Sequence, residues 1–241
     1  MIVKSLEIPL HISKIEALLK RLPPTHEKIS LIQSDLKKIV AGYHGEKSLD
    51  YPFCFLPEKE YYILHDLRLF DGKNYFQIDV LILSTKYFLL LEVKNIAGEL
   101  YFDTDFNQLI RTKEGKKNAF SDPLIQVKRL ELQFKKWLKL ETSVPIYGLV
   151  VISNPASFIH TNDSKLSKSK KIIHRDSLPF RMEQIAHSIP NPSMDEATIK
   201  KWIKELKKKH TPLNIDITTK YHLKRAEIQK GAFLLEGFSG T

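Results

Sequence analysis

The segment from Tyr75 to Val93 constrains the fold of this chain most, because it reads as a β-hairpin that is apolar on both faces. If Thr85 and Lys86 form the centre of the turn, Ser84 opposes Tyr87 and the side chains alternate between the two faces from there. One face then carries Leu81, Leu83, Phe88 and Leu90, and the other carries Ile78, Val80, Ile82, Leu89, Leu91 and Val93. A hairpin of this kind has to be covered on both sides, which predicts a sheet packed between other elements.

The periodicity around the hairpin predicts an α/β fold, with a central mixed β-sheet that contains an antiparallel meander and is flanked by α-helices. Strand patterns cover 61–70, 75–83, 87–93, 99–102, 108–112, 145–153 and 172–174. Helical patterns cover 13–22, 29–49, the segment that Pro123 opens, and 193–210, the last with Ser193 as its predicted N-cap and Glu196 three residues later. The polar segment 155–171 is interpreted as a surface loop, and no core is predicted beyond residue 210.

Three parts of the chain follow from this pattern. We expect an N-terminal helical segment, residues 1–44, that packs on the core. The core itself spans 45–154, and a C-terminal extension with a basic helix, 155–241, partly continues it.

The charge balance favours a polyanionic partner. Lys and Arg total 38 against 28 Asp and Glu, which gives a net charge of +10. Basic residues cluster at Lys135, Lys136 and Lys139, in the loop 165–171 and along 200–209. Each cluster fits contact with phosphate, although charge runs of this kind are more often solvated surface.

Cysteine usage and hydropathy bear on the compartment. Cys54 stands alone in the sequence, so neither an internal disulfide nor a multi-cysteine zinc site is predicted. A reducing compartment, the cytoplasm, is therefore expected. No apolar run approaches about 18 residues, so membrane insertion is not predicted. The sequence does not set the oligomeric state.

Polar side chains collect at one end of the hairpin. In the predicted register Asp79 opposes Glu92, and Gln77 opposes Lys94, on the same face. Opposed Cβ atoms in a sheet lie about 5 Å apart, so the two carboxylates repel each other unless a proton, a cation or a metal ion offsets them. Mg²⁺ or Mn²⁺ fits, because hard divalent ions take one or two carboxylates and keep positions for water and phosphate oxygens.

Two alternatives to this interpretation stay open. The Asp, Glu and Lys side chains form a cluster that merely neutralises itself on an exposed face. The turn lacks the glycine that two-residue hairpin turns prefer, so a bulge would change the register. Glu92 and Lys94 share a face in either case, because residues two apart in a strand point the same way.

With QID at Gln77 to Asp79 and EVKNIAG at Glu92 to Gly98, the chain resembles the nuclease-related domain (NERD) family, a branch of the PD-(D/E)xK nuclease superfamily. The resemblance implies a restriction-endonuclease-like core with a four-stranded sheet and divalent-metal phosphodiester hydrolysis. It implies Asp79 and Glu92 as metal ligands and Lys94 as the catalytic lysine, with Gln77 beside them. Glu46 corresponds to a further acidic ligand, and Gln126 to a residue facing the site from its helix. Without the resemblance, Glu46 is a solvated helix residue and Gln126 an ordinary polar position.

The sequence thus leads to a divalent-metal-dependent nuclease that uses Mg²⁺ or Mn²⁺ and acts on nucleic acid, with DNA expected over RNA. One alternative is a nucleic-acid-binding module with a degenerate, inactive site. Another is an accessory protein in which the carboxylates only satisfy Lys94.

Overall fold

The computed structural model describes residues 1–138 and 144–229. Its strands are β1 (Ile2–Lys4), β2 (Tyr62–Phe70), β3 (Tyr75–Leu83), β4 (Phe88–Lys94), β5 (Gly98–Asp103), β6 (Gln108–Lys113), β7 (Lys116–Ser121), β8 (Ile146–Ile152), β9 (Ser157–Thr161) and β10 (Ile172–His174). Its helices are α1 (Leu10–Leu19), α2 (Ile29–Lys47), α3 (Asp50–Phe53), α4 (Pro123–Leu138), α5 (Ser164–Ser169), α6 (Leu178–Ser188), α7 (Glu196–Lys209) and α8 (Ile217–Lys220).

A mixed sheet forms the centre of the larger part of the molecule. Within the described residues its strand order is β1-β2-β3-β4-β8-β10. Strands β2, β3 and β4 form the antiparallel meander, whereas β1, β8 and β10 each run parallel to their neighbours. The predicted fold class is confirmed. The sheet is wider than the four strands that the resemblance implied, because the short strands β1 and β10 extend it at its two edges.

The β3–β4 hairpin has the predicted register. Leu83 pairs with Phe88, and the pairing continues to Val80 and Leu91. The turn needs no glycine, because the Ser84 hydroxyl accepts hydrogen bonds from the backbone N–H groups of Lys86 at 3.3 Å and Tyr87 at 3.1 Å. A serine side chain thus satisfies donors that a tighter turn would leave free.

Helices cover both faces of this sheet, as its double apolar character requires. Helices α4 and α7 supply buried residues to one hydrophobic cluster, and α3 and α6 supply them to the other. At Gly148 on β8, an added Cβ would lie 2.6 Å from Val127 Cγ2 and closer still to the Glu131 carboxylate. A side chain at this position would therefore push α4 off the sheet, so glycine permits the close packing.

The second sheet, of order β7-β6-β5-β9 in the described chain, was only partly predicted. The interpretation of 155–171 as a loop is wrong, since β9 and α5 lie there. In β9 the usual alternation is inverted: Phe158 and His160 are exposed, while Ser157 is buried. A strand that turns its large side chains outward lacks the apolar pattern by which strands are recognised.

The start of α7 also differs from the prediction. The helix begins at Glu196, and its N-cap is Asp195, whose carboxylate accepts a 2.6 Å hydrogen bond from the Thr198 N–H. Ser193 lies outside the helix, and its hydroxyl donates to the Lys86 carbonyl instead. Aspartate and serine are equally good N-cap residues, so the sequence alone could not distinguish Asp195 from Ser193.

By its internal contacts the chain divides into two compact units. The first comprises Met1–Glu7 and Gly42–Leu213, and holds both sheets. The second comprises Ile8–Ala41 and the chain from Asn214 onward, described to residue 229. Buried side chains of the second unit share a core, contrary to the expectation that none follows residue 210: Ile15, Leu18, Leu22, Ile32, Ile217 and Tyr221. The boundaries proposed at residues 44 and 154 stay predictions.

No helix in the described ranges combines the length and the apolar character that crossing a membrane requires. The predicted basic position Lys139 and the segment from Lys230 to Thr241 lie outside the described residues.

Candidate active site

The hairpin brings Asp79, Glu92 and Lys94 together at the point where its two strands separate. Backbone pairing between β3 and β4 ends at Val80 and Leu91. Beyond it, Asp79 Oδ2 accepts a 2.8 Å hydrogen bond from the Val93 N–H, and Lys94 Nζ donates to Glu92 Oε1 at 2.7 Å. The Asp79 side chain thus takes the place of a backbone acceptor, which fixes its carboxylate beside Glu92.

Gln77 reaches the site differently from the prediction. It does not pair with Lys94; its side-chain amide donates a 2.8 Å hydrogen bond to Asp66 Oδ1. Asp66 lies between the pairs Leu67–Ile78 and His65–Val80, so it falls opposite Asp79 on the other side of β3.

Asp66 holds an unusual backbone conformation. Its φ of +47° is left-handed in the middle of β2, a conformation that Asp tolerates better than most residues. Lys4 on β1 anchors the distorted strand, because its ammonium donates to the carbonyls of His65 at 2.8 Å and Asp66 at 3.1 Å. Left-handed non-glycine residues inside a strand concentrate at functional sites, which makes Asp66 a candidate that the sequence analysis missed.

Glu46 approaches the same cluster from the end of α2. A Cβ at Gly45 would lie 2.6 Å from Asn95 Cβ and 2.9 Å from Ser153 Oγ, so only glycine lets this helix end pack against the exits of β4 and β8. The close approach brings the Glu46 carboxylate under the electrostatic influence of Asp79 and Glu92. This packing explains why a glycine precedes Glu46 in the sequence.

A cavity of about 450 Å³ opens over the carboxylates. Gln77, Asp79 and Glu92 line it from the sheet, and Gln126 and Arg129 line it from α4. The Gln126 carbonyl oxygen, Oε1, is buried and has no hydrogen-bond partner among the described residues. An unsatisfied buried acceptor beside two carboxylates favours a bound cation or water.

Burial and mutual repulsion perturb the carboxylates. Loss of solvation, followed by the charge of Glu92, raises the pKa of Asp79 to about 7, against the lowering effects of the Val93 N–H and Lys94. Loss of solvation, with the charges of Asp79, Asp66 and Glu92, raises the pKa of Glu46 to about 9, and Lys4 partly offsets this. Burial and neighbouring negative charge therefore favour the neutral forms of Asp79 and Glu46, and a further cation beside them would favour ionisation.

The donor atoms at this site bear on whether it can hold a divalent ion. In the described part of the chain, no three or more His, Cys, Asp or Glu side chains are grouped so as to hold a metal ion by themselves. The chemistry of the site still fits Mg²⁺ or Mn²⁺, which need only one or two carboxylates and fill their remaining positions with water and phosphate oxygens. Asp79 and Glu92 would hold such an ion, and Gln126, whose side-chain oxygen is buried without a hydrogen-bond partner in the described chain, lines the same cavity.

Three residues near the site escaped the sequence analysis: Lys4, Asp66 and Arg129. Asp66 could have been found, because the β2–β3 hairpin with its turn near Gly72 places it opposite Asp79. Arg129 follows Gln126 by one helical turn, which puts both on one face of α4. Lys4 arrives through the parallel pairing of β1, for which the local sequence offers no pattern.

A mixed sheet flanked by helices, with carboxylates and a lysine where two adjacent strands separate, defines a nuclease-like α/β domain. The family model of the nuclease-related domain, NERD, matches residues 41–153, so this part of the chain is a nuclease-related domain. The match includes all six residues that the sequence analysis assigned to the site. No curated protein and no solved structure matches the chain.

Proposed function

We propose that this protein is a divalent-metal-dependent nuclease that hydrolyses phosphodiester bonds, with DNA as its preferred substrate. The observation that carries the proposal is that two neighbouring carboxylates, Asp79 and Glu92, line one cavity of the nuclease-related domain, and that Lys94 donates a hydrogen bond to Glu92. Strongly perturbed acids in a cavity are candidates for a functional site, because burying them lowers stability and a bound cation offsets that cost.

Each side chain has a separate role in this proposal. Asp79 and Glu92, with Glu46 as a further acidic group, hold Mg²⁺ or Mn²⁺. The ion, when bound, lowers the pKa of a coordinated water and stabilises negative charge on the phosphate. Asp79 is oriented by the Val93 N–H, which leaves its second oxygen without a hydrogen bond from the described residues.

Lys94 would stabilise the charge that develops on the phosphate. One of its three N–H donors is engaged by Glu92 at 2.7 Å, and the other two can bind a phosphate oxygen or orient the attacking water. Gln77 and Gln126 would complete the polar lining, Gln77 being held by Asp66. A reducing compartment, the cytoplasm, belongs to the same proposal, because Cys54 is the one cysteine of the sequence.

The test is cleavage of circular and linear DNA, and of RNA of the same sequence, with Mg²⁺, Mn²⁺ or EDTA. We expect Asp79→Ala and Glu92→Ala to abolish cleavage while the circular dichroism spectrum is retained. Glu114→Ala is the matched control, since Glu114 lies exposed in the β6–β7 turn. Metal-dependent cleavage that survives in both site variants would falsify the assignment.

A second candidate function is a nucleic-acid-binding module whose site does not turn over. The observation that favours it is the Lys94–Glu92 ion pair, which already neutralises one carboxylate without any metal. Salt-sensitive binding of DNA, combined with no cleavage under any divalent ion, would select this function over the first.

A further inference from the structure

A second cavity lies outside the matched nuclease-related domain, and part of its lining comes from the segment 155–171 that was predicted to be a loop. It has a volume of about 960 Å³ and is bounded by β9, α5, β10 and α6. We call it the basic aromatic groove, after six of its lining residues: Phe158, His160, Lys170, His174, Phe180 and Arg181. Volumes of this size accommodate ligands rather than single waters.

Exposed aromatic rings form two sides of the groove. Phe158 and Phe180 are 70% and 67% exposed, although each is large and apolar. Phe158 and His160 share a face of β9, with ring centroids 5.2 Å apart and planes 34° apart. Flat rings that stand in water at the wall of a cavity offer surfaces on which a planar ligand can stack.

Two cationic side chains, Lys170 and Arg181, also line the groove. The Arg181 guanidinium is held in place by hydrogen bonds to the Ser169 carbonyl at 3.1 Å and the Gln184 side chain at 3.4 Å. Lys170 ends α5 in a left-handed conformation with φ of +51°, and it is exposed. Three more exposed lysines surround the same helix: Lys165, Lys168 and Lys171.

Acidic groups near the groove are already engaged. Asp163 caps α5 by accepting a 2.7 Å hydrogen bond from the Lys165 N–H. Glu99, on the neighbouring strand β5, lies 3.5 Å from His160 Nε2. Among the described lining residues, Lys170 and Arg181 are cationic and Asp163 is acidic, so the groove has a net positive charge and favours a polyanion.

We propose that the basic aromatic groove binds a single-stranded stretch of nucleic acid, with bases stacked on Phe158 and Phe180 and phosphates paired with Lys170 and its neighbours. This inference rests on the proposed function, in that the occupant is the nucleic acid on which the nuclease site acts. The ligand is single-stranded because bases in a duplex stack on one another and present no face to a protein ring.

The chain connects the groove to the candidate active site. Ile152 ends β8 beside Lys94, and β9 begins at Ser157 after one short connection. In that connection the Asn154 side chain donates to Asn95 Oδ1 at 3.1 Å, and the Ser157 hydroxyl donates to the Ile96 carbonyl at 2.6 Å. A nucleic-acid strand bound in the groove thus contacts β9, and β9 is hydrogen-bonded to the residues that follow β4.

The experiment is fluorescence anisotropy with a fluorescein-labelled oligothymidylate and with a labelled duplex, in EDTA so that no cleavage occurs. We expect Phe158→Ala and Phe180→Ala each to weaken single-strand binding about tenfold, since base stacking on an aromatic ring contributes that much per base. Lys170→Glu should weaken single-strand binding more than either phenylalanine variant does. It should also lower the salt dependence of binding, by about one released counterion. Duplex binding should change less in all three variants.

Two matched controls separate the groove from general aromatic exposure. Phe106 is 78% exposed in the β5–β6 turn, and Phe106→Ala should leave the affinity unchanged. Phe180 also borders a neighbouring cavity that Phe55 lines, and Phe55 is 62% exposed. Because Phe55 lines that cavity and not the groove, Phe55→Ala should leave single-strand affinity unchanged. A loss of affinity equal to that of Phe180→Ala would assign binding to the other cavity and overturn the proposal.

The outcomes also distinguish this proposal from the proposed function. Unchanged single-strand affinity in the Phe158→Ala/Phe180→Ala double variant overturns the groove whether or not the protein cleaves DNA. Loss of binding in that variant, together with absent cleavage in the unmodified protein, supports the groove and removes the nuclease function.

Strand β9 pairs on one side, with β5, among the described strands, so a labelled peptide of alternating Glu and Val serves as a second probe. Tighter binding of this peptide than of the oligonucleotide would assign the groove to an extended polypeptide and overturn the proposal.

Discussion

Two neighbouring places on the central sheet hold perturbed ionisable groups, and they differ in access. Burial raises the pKa of Asp79, which lines an open cavity, and that of Glu46, which is repelled by the charge of Asp79. At His65 on β2, burial lowers the pKa of an imidazole to about 4, and the ring is fully enclosed. Its nitrogens have no hydrogen-bond partner within the described chain, and the nearest carboxylate oxygen, on Asp50, is 3.9 Å away.

The same physical cause, loss of water, acts at both places and favours the neutral form in each. Asp79 lines a cavity that a cation or a substrate can enter, whereas His65 is fully buried. His65 packs edge-on against Phe53 with centroids 5.8 Å apart, in the manner of a core residue. A perturbed pKa therefore indicates function when it coincides with a cavity, and indicates packing when it does not.

The largest effect that sharpens this contrast is expected at Lys94. Replacing it by methionine keeps most of the aliphatic chain but removes the ammonium that would stabilise charge on the phosphate. We expect metal-dependent cleavage to fall by about 10²- to 10³-fold, the typical loss for one such donor. Single-turnover cleavage rates at saturating Mg²⁺ measure it.

Lys136→Met on the exposed face of α4 is the control for that variant and should retain the rate. If Lys94→Met cleaves as fast as the unmodified protein, Lys94 has only the structural role of neutralising Glu92.

The enclosed histidine should make stability depend on pH. Its pKa in the folded protein, about 4, lies below the ordinary value of 6.5, so between these values the unfolded chain binds the proton and the folded protein does not. This stability is fully present above pH 6.5 and is lost as the pH falls towards 4, by up to about 3 kcal/mol. Urea unfolding at pH 7 and at pH 4.5 measures the loss.

His65→Phe should remove that part of the pH dependence, because phenylalanine stays neutral and can pack against Phe53. His187→Gln, at an exposed position of α6, should keep it. The carboxylates titrate in the opposite sense over part of this range, so the comparison is between each variant and the unmodified protein at the same pH. An unchanged difference between the two pH values in His65→Phe would show that His65 is not neutral in the folded state.

How far the sequence predicts these places depends on the range of the interactions involved. Alternation along β3 and β4 was enough to place Asp79 beside Glu92, because a hairpin pairs residues that are close in the chain. The approach of Glu46 came from family resemblance alone, since the contact of Gly45 with Asn95 and Ser153 is tertiary. Segment 155–171 was misinterpreted because its strand turns Phe158 and His160 outward, and the same inversion creates the groove wall.

A divalent ion that binds in the open cavity should stabilise the folded protein, whereas the enclosed His65 site offers no place for an ion to bind. At about 100 times its dissociation constant, an ion that binds the folded state alone adds about 2.7 kcal/mol of stability. For a chain of this size that corresponds to a rise of about 5–10 °C in melting temperature. Differential scanning fluorimetry with MgCl₂ or MnCl₂, against EDTA, measures it.

Glu92→Ala should abolish the rise, and His65→Phe should leave it intact. Equal stabilisation of the Glu92→Ala variant would show that the ions bind elsewhere on the protein.

The smallest expected effect concerns the repulsion itself and is measured without metal. Asp79→Asn keeps an oxygen that can accept from the Val93 N–H but removes one negative charge from the cluster. A carboxyl group whose pKa is raised in the folded state stabilises the fold below its ordinary pKa, near 3.8, and this contribution is lost as the pH rises through about 7. In EDTA the variant should therefore melt higher than the unmodified protein at pH 8, and the gain should shrink at pH 5. One pKa unit corresponds to about 1.4 kcal/mol, or about 3–6 °C for a chain of this length.

Glu114→Gln, on the exposed turn, should show no such gain. A lower melting temperature for Asp79→Asn at pH 8 would mean that Lys94 and the Val93 N–H already outweigh the repulsion, and the carboxylates would then need no metal ion to be stable.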